Sequence, residues 1–151
     1  MERPRVLFLC TGNSCRSQMA EGWLRHLAGE AYDALSAGTD PHWLNPFAVQ
    51  VMGETGVDIS GHTSDSLEKF ADTRIDYFIT VCDRAAESCP LPPPGGKVLR
   101  WSFEDPPGVV RESGLEGERA LEIYRRVRDE IRAAVEGFVA DSSSGGPPQR
   151  P

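Results

Sequence analysis

The sequence predicts an α/β fold with a mostly parallel sheet. Two observations predict it: short apolar runs alternate with segments of helical periodicity, and the first apolar run passes into a helix through a loop of small and polar residues. A third is the amphipathic stripe that closes the chain. At 151 residues with 39% apolar content, the chain suits one globular domain with its own core, placed over residues 1–140, followed by a disordered tail over 141–151.

Val6-Leu7-Phe8-Leu9 reads as a buried strand spanning Arg5 to Leu9, and a helix follows from Ser17 to Ala28. A second strand is expected near Ala34 to Ala37, ending at Gly38. Asn45-Pro46 is a helix start, with Asn45 as cap and Pro46 at the first helical position. That helix should pass through Val49 and Met52 and stop at Gly56. Ser64 or Asp65 can cap a short helix containing Leu67 and Phe70. Asp76 to Cys82 is the next buried strand, and Lys97 to Trp101 a further one. Leu121, Tyr124, Val127, Ile131, Val135 and Phe138 form one apolar stripe on a long final helix, with charges between them. Asp141 to Pro151 is rich in Ser, Gly and Pro, the composition of a disordered tail.

In open α/β sheets ligands sit at the carboxyl ends of the strands. Cys10 closes the first strand, Cys82 closes the Asp76–Cys82 strand, and Asp105-Pro106 follows the Lys97–Trp101 strand. Three chemically useful groups are therefore expected on one edge of one sheet.

The loop Cys10-Thr11-Gly12-Asn13-Ser14-Cys15-Arg16-Ser17 is a candidate cradle for a tetrahedral oxyanion. Loop and helix-terminal N–H groups should line it, and Arg16 can add a bidentate fork. The same positive field favours a thiolate, so Cys10 should be a nucleophile of low pKa. Cys10 would also suit a buried core thiol, and Cys10 with Cys15 a pair of metal ligands, although no partner pair at zinc-like spacing appears elsewhere. Cys82 and Cys89 stand seven positions apart, about two helical turns, on one face but too far apart to bond unless that segment unwinds. By themselves they read as a last core residue and a surface thiol. Beside a nucleophilic Cys10 they read as a three-thiol relay.

The net charge of −7 argues against general binding of nucleic acid or of an anionic membrane. No stretch is long and apolar enough to span a bilayer, and the start of the chain has no signal-peptide pattern. The expected location is the cytoplasm, where four cysteines are more often catalytic or redox-active than structural.

Cys10 to Ser17, Ser36-Ala37-Gly38, Asn45-Pro46, Asp58 to Ser64 and Asp105-Pro106 resemble the low-molecular-weight tyrosine phosphatase superfamily. Cys82 and Cys89, followed by Pro90-Leu91-Pro92-Pro93, resemble its thioredoxin-coupled arsenate reductase branch. The resemblance covers about Pro4 to Phe138 and implies a four-stranded parallel sheet flanked by helices. It implies that Cys10 attacks arsenate while Arg16 and the loop from Thr11 to Ser17 hold its oxygens. Asp105 would act as general acid, Ser17 would donate a hydrogen bond to the Cys10 thiolate, and Asn13 would brace the loop. Cys82 and Cys89 would resolve the adduct by disulfide exchange, with thioredoxin as reductant.

The resemblance also implies arsenic detoxification by a cytoplasmic monomer that needs no cofactor, with residual phosphatase activity. Some members hold potassium, and the matching residues are Asn13, Glu21, Ser36 and Asp65. These are oxygen donors suited to a hard cation, while Glu21 and Asp65 equally suit solvated helix charges. The competing reading is a low-molecular-weight protein tyrosine phosphatase. Against it stands Pro107-Gly108, where those phosphatases carry aromatic side chains.

Overall fold

The first strand, β1 (Arg5–Cys10), runs through the middle of the sheet, and Val6, Leu7, Phe8 and Leu9 are fully buried. A strand covered on both faces has no use for alternating polarity, which is why this one reads as an unbroken apolar run. The computed structural model describes residues 3–12, 15–81 and 96–143, without the side chains of 142 and 143. Asn13, Ser14, Cys82 and Cys89 lie outside the described residues.

After β1 come α1 (Arg16–Ala28), β2 (Asp33–Gly38), α2 (Pro46–Gly53), a 3₁₀ turn (Leu67–Phe70), β3 (Tyr77–Thr80), β4 (Lys97–Arg100), α3 (Pro106–Ser113) and α4 (Gly117–Ser143). The four strands form one parallel sheet in the order β2-β1-β3-β4. Leu9 stands opposite Ala37 on one side and Thr80 on the other. The chain order reverses between β1 and β3, so the crevice beyond Cys10 is the switch point at which such sheets bind ligands.

The local signals explain most of these bounds. The Asn45 side chain accepts the Phe47 and Ala48 N–H groups, and Pro46 opens α2. The helix ends at Gly53, short of the expected Gly56, which instead carries a positive φ of 85° in the turn that follows. Ser66, rather than Ser64 or Asp65, caps the 3₁₀ turn. Helix α3 was not anticipated: Pro106 and Pro107 occupy its first turn and Gly114, left-handed, ends it. Helix α4 continues through Ser143, past the Asp141 at which the sequence suggested that order ends.

Leu121, Tyr124, Val127, Ile131, Val135 and Phe138 are all buried. Phe138 meets Tyr77 and Tyr32 at ring separations of 5.0 and 5.4 Å. Helix α4 also crosses α1, where the Trp23 indole donates to the Arg128 carbonyl at 3.1 Å. On its other side α1 approaches the chain near Ile59 closely. A Cβ on Gly22 would stand 2.6 Å from Ile59 Cγ2, so no larger residue fits there without displacement. Among the described residues, no helix is long and apolar enough to cross a membrane.

Candidate active site at the end of β1

Cys10 is the last residue of β1 and is buried, with 3% exposure. Its Sγ lies 2.9 Å from the Oγ of Ser17, a fully buried residue in the first turn of α1. Helix α1 begins at Arg16 without a side-chain cap from Cys15 and with no acidic residue in its first turn. The positive end of the helix dipole at this terminus, with no carboxylate in the first turn to offset it, favours an anion.

The described part of the loop is held from outside. Asp40 N–H donates to the Thr11 carbonyl at 2.9 Å, and His42 N–H donates to the Gly12 carbonyl at 2.7 Å. Ser64 Oγ donates to that same Gly12 carbonyl at 3.1 Å. In a planar trans peptide the N–H opposes the carbonyl, so the Asp40 bond to the Thr11 carbonyl turns the Gly12 N–H away from Asp40. The sequence marks Ser64 only as a candidate cap and as part of the Asp58–Ser64 motif and gives His42 no role, because nothing local marks a residue that braces a loop many positions away.

Arg16 is largely buried and is oriented by two groups from beyond β4. One terminal nitrogen donates to the Phe103 carbonyl at 3.0 Å, and the other lies 3.5 Å from Asp105 Oδ1. Asp105 is half exposed and stands at the N-terminus of α3. The structure thus brings Cys10, Arg16, Ser17 and Asp105 to one end of the sheet, as expected. Cys15 is buried beside them, and burial, reinforced by Cys10, pushes its thiol well above the usual cysteine range while Arg16 opposes the shift. Cys15 therefore remains a thiol at neutral pH and is unsuited to nucleophilic attack.

Tyr124, which the sequence placed in the apolar stripe, also reaches this region. Its hydroxyl accepts from Asn45 Nδ2 at 3.0 Å. Burial pushes its pKa up to about 12, the Asn45 bond opposing and Cys15 and Asp105 adding to the rise. Periodicity reports which face a tyrosine ring occupies and nothing about its hydroxyl.

Glu21, Ser36 and Asp65 line one cleft of about 400 Å³ together with Arg25, His62 and Lys69. Their oxygens suit a hard cation, but each carboxylate already has a cation of the chain's own. Arg25 lies 2.6 Å from Glu21 Oε2 and also donates to the Ala34 carbonyl at 2.9 Å. Ser36 Oγ donates to the other Glu21 oxygen, and Lys69 lies 3.2 Å from Asp65. A potassium ion fits this set only in competition with Arg25 and Lys69. Among the described residues no cluster of three or more His, Cys, Asp or Glu side chains is arranged to hold a metal.

His62 completes this cleft. Its Nδ1 donates to Gln18 Oε1 at 2.9 Å, because the Gln18 amide nitrogen is turned to the Thr63 carbonyl at 2.8 Å. His62 Nε2 then accepts from Arg25 at 2.9 Å, which is the neutral tautomer. Burial lowers the His62 pKa, with Glu21 opposing and Arg25 assisting.

Residues 5–144 match the family described as low molecular weight phosphotyrosine protein phosphatase. An arsenate reductase of Bacillus subtilis is 45% identical over 138 residues, which is 91% of this chain and 96% of that protein. A thioredoxin-dependent arsenate reductase of Corynebacterium glutamicum superposes with a TM-score of 0.74 at 26% identity, covering 95% of this chain and 64% of that one. A low molecular weight protein tyrosine phosphatase from T. tengcongensis superposes with a TM-score of 0.71 at 28% identity, covering 91% and 98%. The buried thiol at the end of β1, the uncapped helix beyond it and this degree of likeness agree: the chain belongs to the low molecular weight phosphotyrosine protein phosphatase family, on its arsenate reductase branch.

Proposed function

We propose that the chain reduces arsenate to arsenite through Cys10, Cys82 and Cys89, with thioredoxin as the final reductant. The observation that carries this reading is the convergence of Cys10, Arg16 and Asp105 on one sheet edge, in a chain that is 45% identical over 91% of its length to an arsenate reductase. Cys82 adds weight by its place in the chain. Val81 N–H bonds to the Leu9 carbonyl, and Cys82 is the next residue.

Arg16 and the N–H groups at the start of α1 hold arsenate, and Ser17 steadies the Cys10 thiolate. Cys10 Sγ adds to arsenic, and one arsenate oxygen takes the proton held at Asp105 and departs as water. The product is an arsenic(V) thioester on Cys10. The Cys82 thiolate then attacks Cys10 Sγ. The electron pair of the sulfur–arsenic bond passes to arsenic, which leaves as arsenite, and a Cys10–Cys82 disulfide forms. Cys89 attacks Cys82 Sγ, releases the Cys10 thiolate and leaves a Cys82–Cys89 disulfide for the thioredoxin dithiol to reduce.

No cofactor is required in this reading. Potassium at Asn13, Glu21, Ser36 and Asp65 would be an accessory that competes with Arg25 and Lys69. We place the protein in the cytoplasm as a monomer that serves arsenic detoxification. A phosphatase reading shares Cys10, Arg16 and Asp105 and is favoured by the family match, but it leaves Cys82 and Cys89 without a task. Some aryl phosphatase activity follows from the shared anion site in either case.

The relay is tested by stopping it at each thiol. Cys82→Ser should release almost no arsenite without added thiol. Cys89→Ser should release about one arsenite per enzyme, by the exchange chemistry above, and then stall. Parent enzyme oxidised in one turnover without thioredoxin should yield a Cys82–Cys89 peptide on mapping. Full steady-state turnover of Cys89→Ser with thioredoxin would refute the three-cysteine sequence. An aryl phosphatase efficiency exceeding arsenate reduction would return the protein to the phosphatase reading.

A further inference from the structure

Helix α3 opens on an aspartate that holds the cap position without capping. Asp105 has N-cap backbone angles, φ −89° and ψ 102°, and its carbonyl accepts the Val109 N–H at 2.9 Å. Its carboxylate nevertheless makes no cap hydrogen bond. An N-cap side chain ordinarily accepts from the second or third helical N–H. The second residue is Pro107, which has no N–H, and Pro106 before it has none either. The third is Gly108, and the carboxylate lies directly against it: a Cβ built there would stand 2.9 Å from Asp105 Oδ2 and 3.5 Å from Cγ. The other carboxylate oxygen faces Arg16 at 3.5 Å.

Gly108 is not demanded by the backbone. It lies within α3, and the described glycines of positive φ are Gly56, Gly114 and Gly117. Glycine in a helix is less stable than alanine, so the missing side chain has a use elsewhere. We propose that Pro107 and Gly108 are positioning residues for Asp105. Pro107 withholds one of the two donors that would lock the carboxylate into a cap, and Gly108 leaves the space in which it turns toward Arg16 and the oxyanion. The proposal rests on the reading of Asp105 as general acid.

The test is a kinetic cycle on the full chain. Gly108→Ala and Pro107→Ala are each made in the parent and in Asp105→Asn, and single-turnover arsenite release is followed as arsenate is varied. Asp105→Asn alone should slow release about a hundredfold, the scale of a lost general acid. Gly108→Ala in the parent should slow it by about tenfold with the half-saturating arsenate concentration unchanged, because the acid is displaced and the anion contacts are not. Pro107→Ala should act in the same direction by restoring a cap donor. In the Asp105→Asn background both changes should cost less than about twofold, since no acid remains to misplace. Equal losses in both backgrounds would mark a merely structural role and overturn the proposal. So would a Gly108→Ala variant as fast as the parent beside a slow Asp105→Asn. An Asp105→Asn variant at parental speed would remove the acid itself, and the proposal with it.

Discussion

Cys10 Sγ and Ser17 Oγ lie 2.9 Å apart across the mouth of α1, both buried. The contact joins the last residue of the central strand to the first turn of the helix, so sheet and helix together set the position of the thiol. A hydroxyl at this distance can stabilise a thiolate, and the helix terminus beside it favours an anion.

Cys10→Ser should retain oxyanion binding and lose all chemistry. In the proposed site Arg16 and the helix terminus, not the thiol, would supply the anion contacts, whereas a serine hydroxyl stays protonated and is a poor nucleophile. Titration with sulfate or arsenate by calorimetry should give an affinity close to that of the parent, and arsenite production should be undetectable. Substantial arsenite release would mean that Cys10 is not the nucleophile.

Asp105→Asn should bind arsenate at least as tightly as the parent, because it removes a negative charge 3.5 Å from the Arg16 fork. Equilibrium binding to the variant checks this apart from rate. Weaker binding would show that Asp105 orients Arg16 for the anion instead of competing with it.

Arg25→Met should make the protein responsive to potassium. Arg25 holds the Glu21 carboxylate at 2.6 Å, and its loss leaves Glu21 and Ser36 open to another cation. Melting temperatures in potassium and sodium at equal ionic strength should differ more for the variant than for the parent, in proportion to site occupancy. Equal responses would show that Arg25 is not what limits potassium there.

Stability should fall on mild acidification through His62. Burial holds its folded pKa below the value of about 6.5 expected in the unfolded chain. Between those two values the unfolded state binds more protons, so stability declines as pH drops through that window and is complete above it. Denaturant unfolding of His62→Asn should show a flatter pH dependence below about 6.5 than the parent. Glu21, Arg25 and Asp58 are the charges acting on this ring, and removing Glu21, which favours the charged imidazole, should deepen the effect.

Much of this protein is legible in the order of its residues. An apolar run with no polar alternation means a strand buried on both faces, and Val6 to Leu9 are that strand. Asn45-Pro46 carries a helix start in two residues, because capping is a local transaction between a side chain and the next N–H groups. The candidate site loop is legible for the same reason: Cys10, Arg16 and Ser17 lie within one strand end and one helical turn. The Asp105-Pro-Pro-Gly signature and Gly114 also encode α3 locally, although the prolines read more readily as a turn.

What the sequence could not determine is which distant groups meet. Arg16 finds the Phe103 carbonyl, Arg25 finds Ala34 beside its own-helix Glu21, and Ser64 ties down Gly12. A backbone carbonyl has no residue signature, and a charged side chain has many equivalent partners until packing leaves one within reach. The sheet order puts Cys10 and Asp105 at the same end, and α4 packs against α1 through the Trp23 bond to the Arg128 carbonyl. Those distances decide whether Glu21 serves a bound ion or an arginine, and whether Asp105 caps a helix or faces an oxyanion. They arise from the burial of the whole core, to which every element contributes and which no single segment contains.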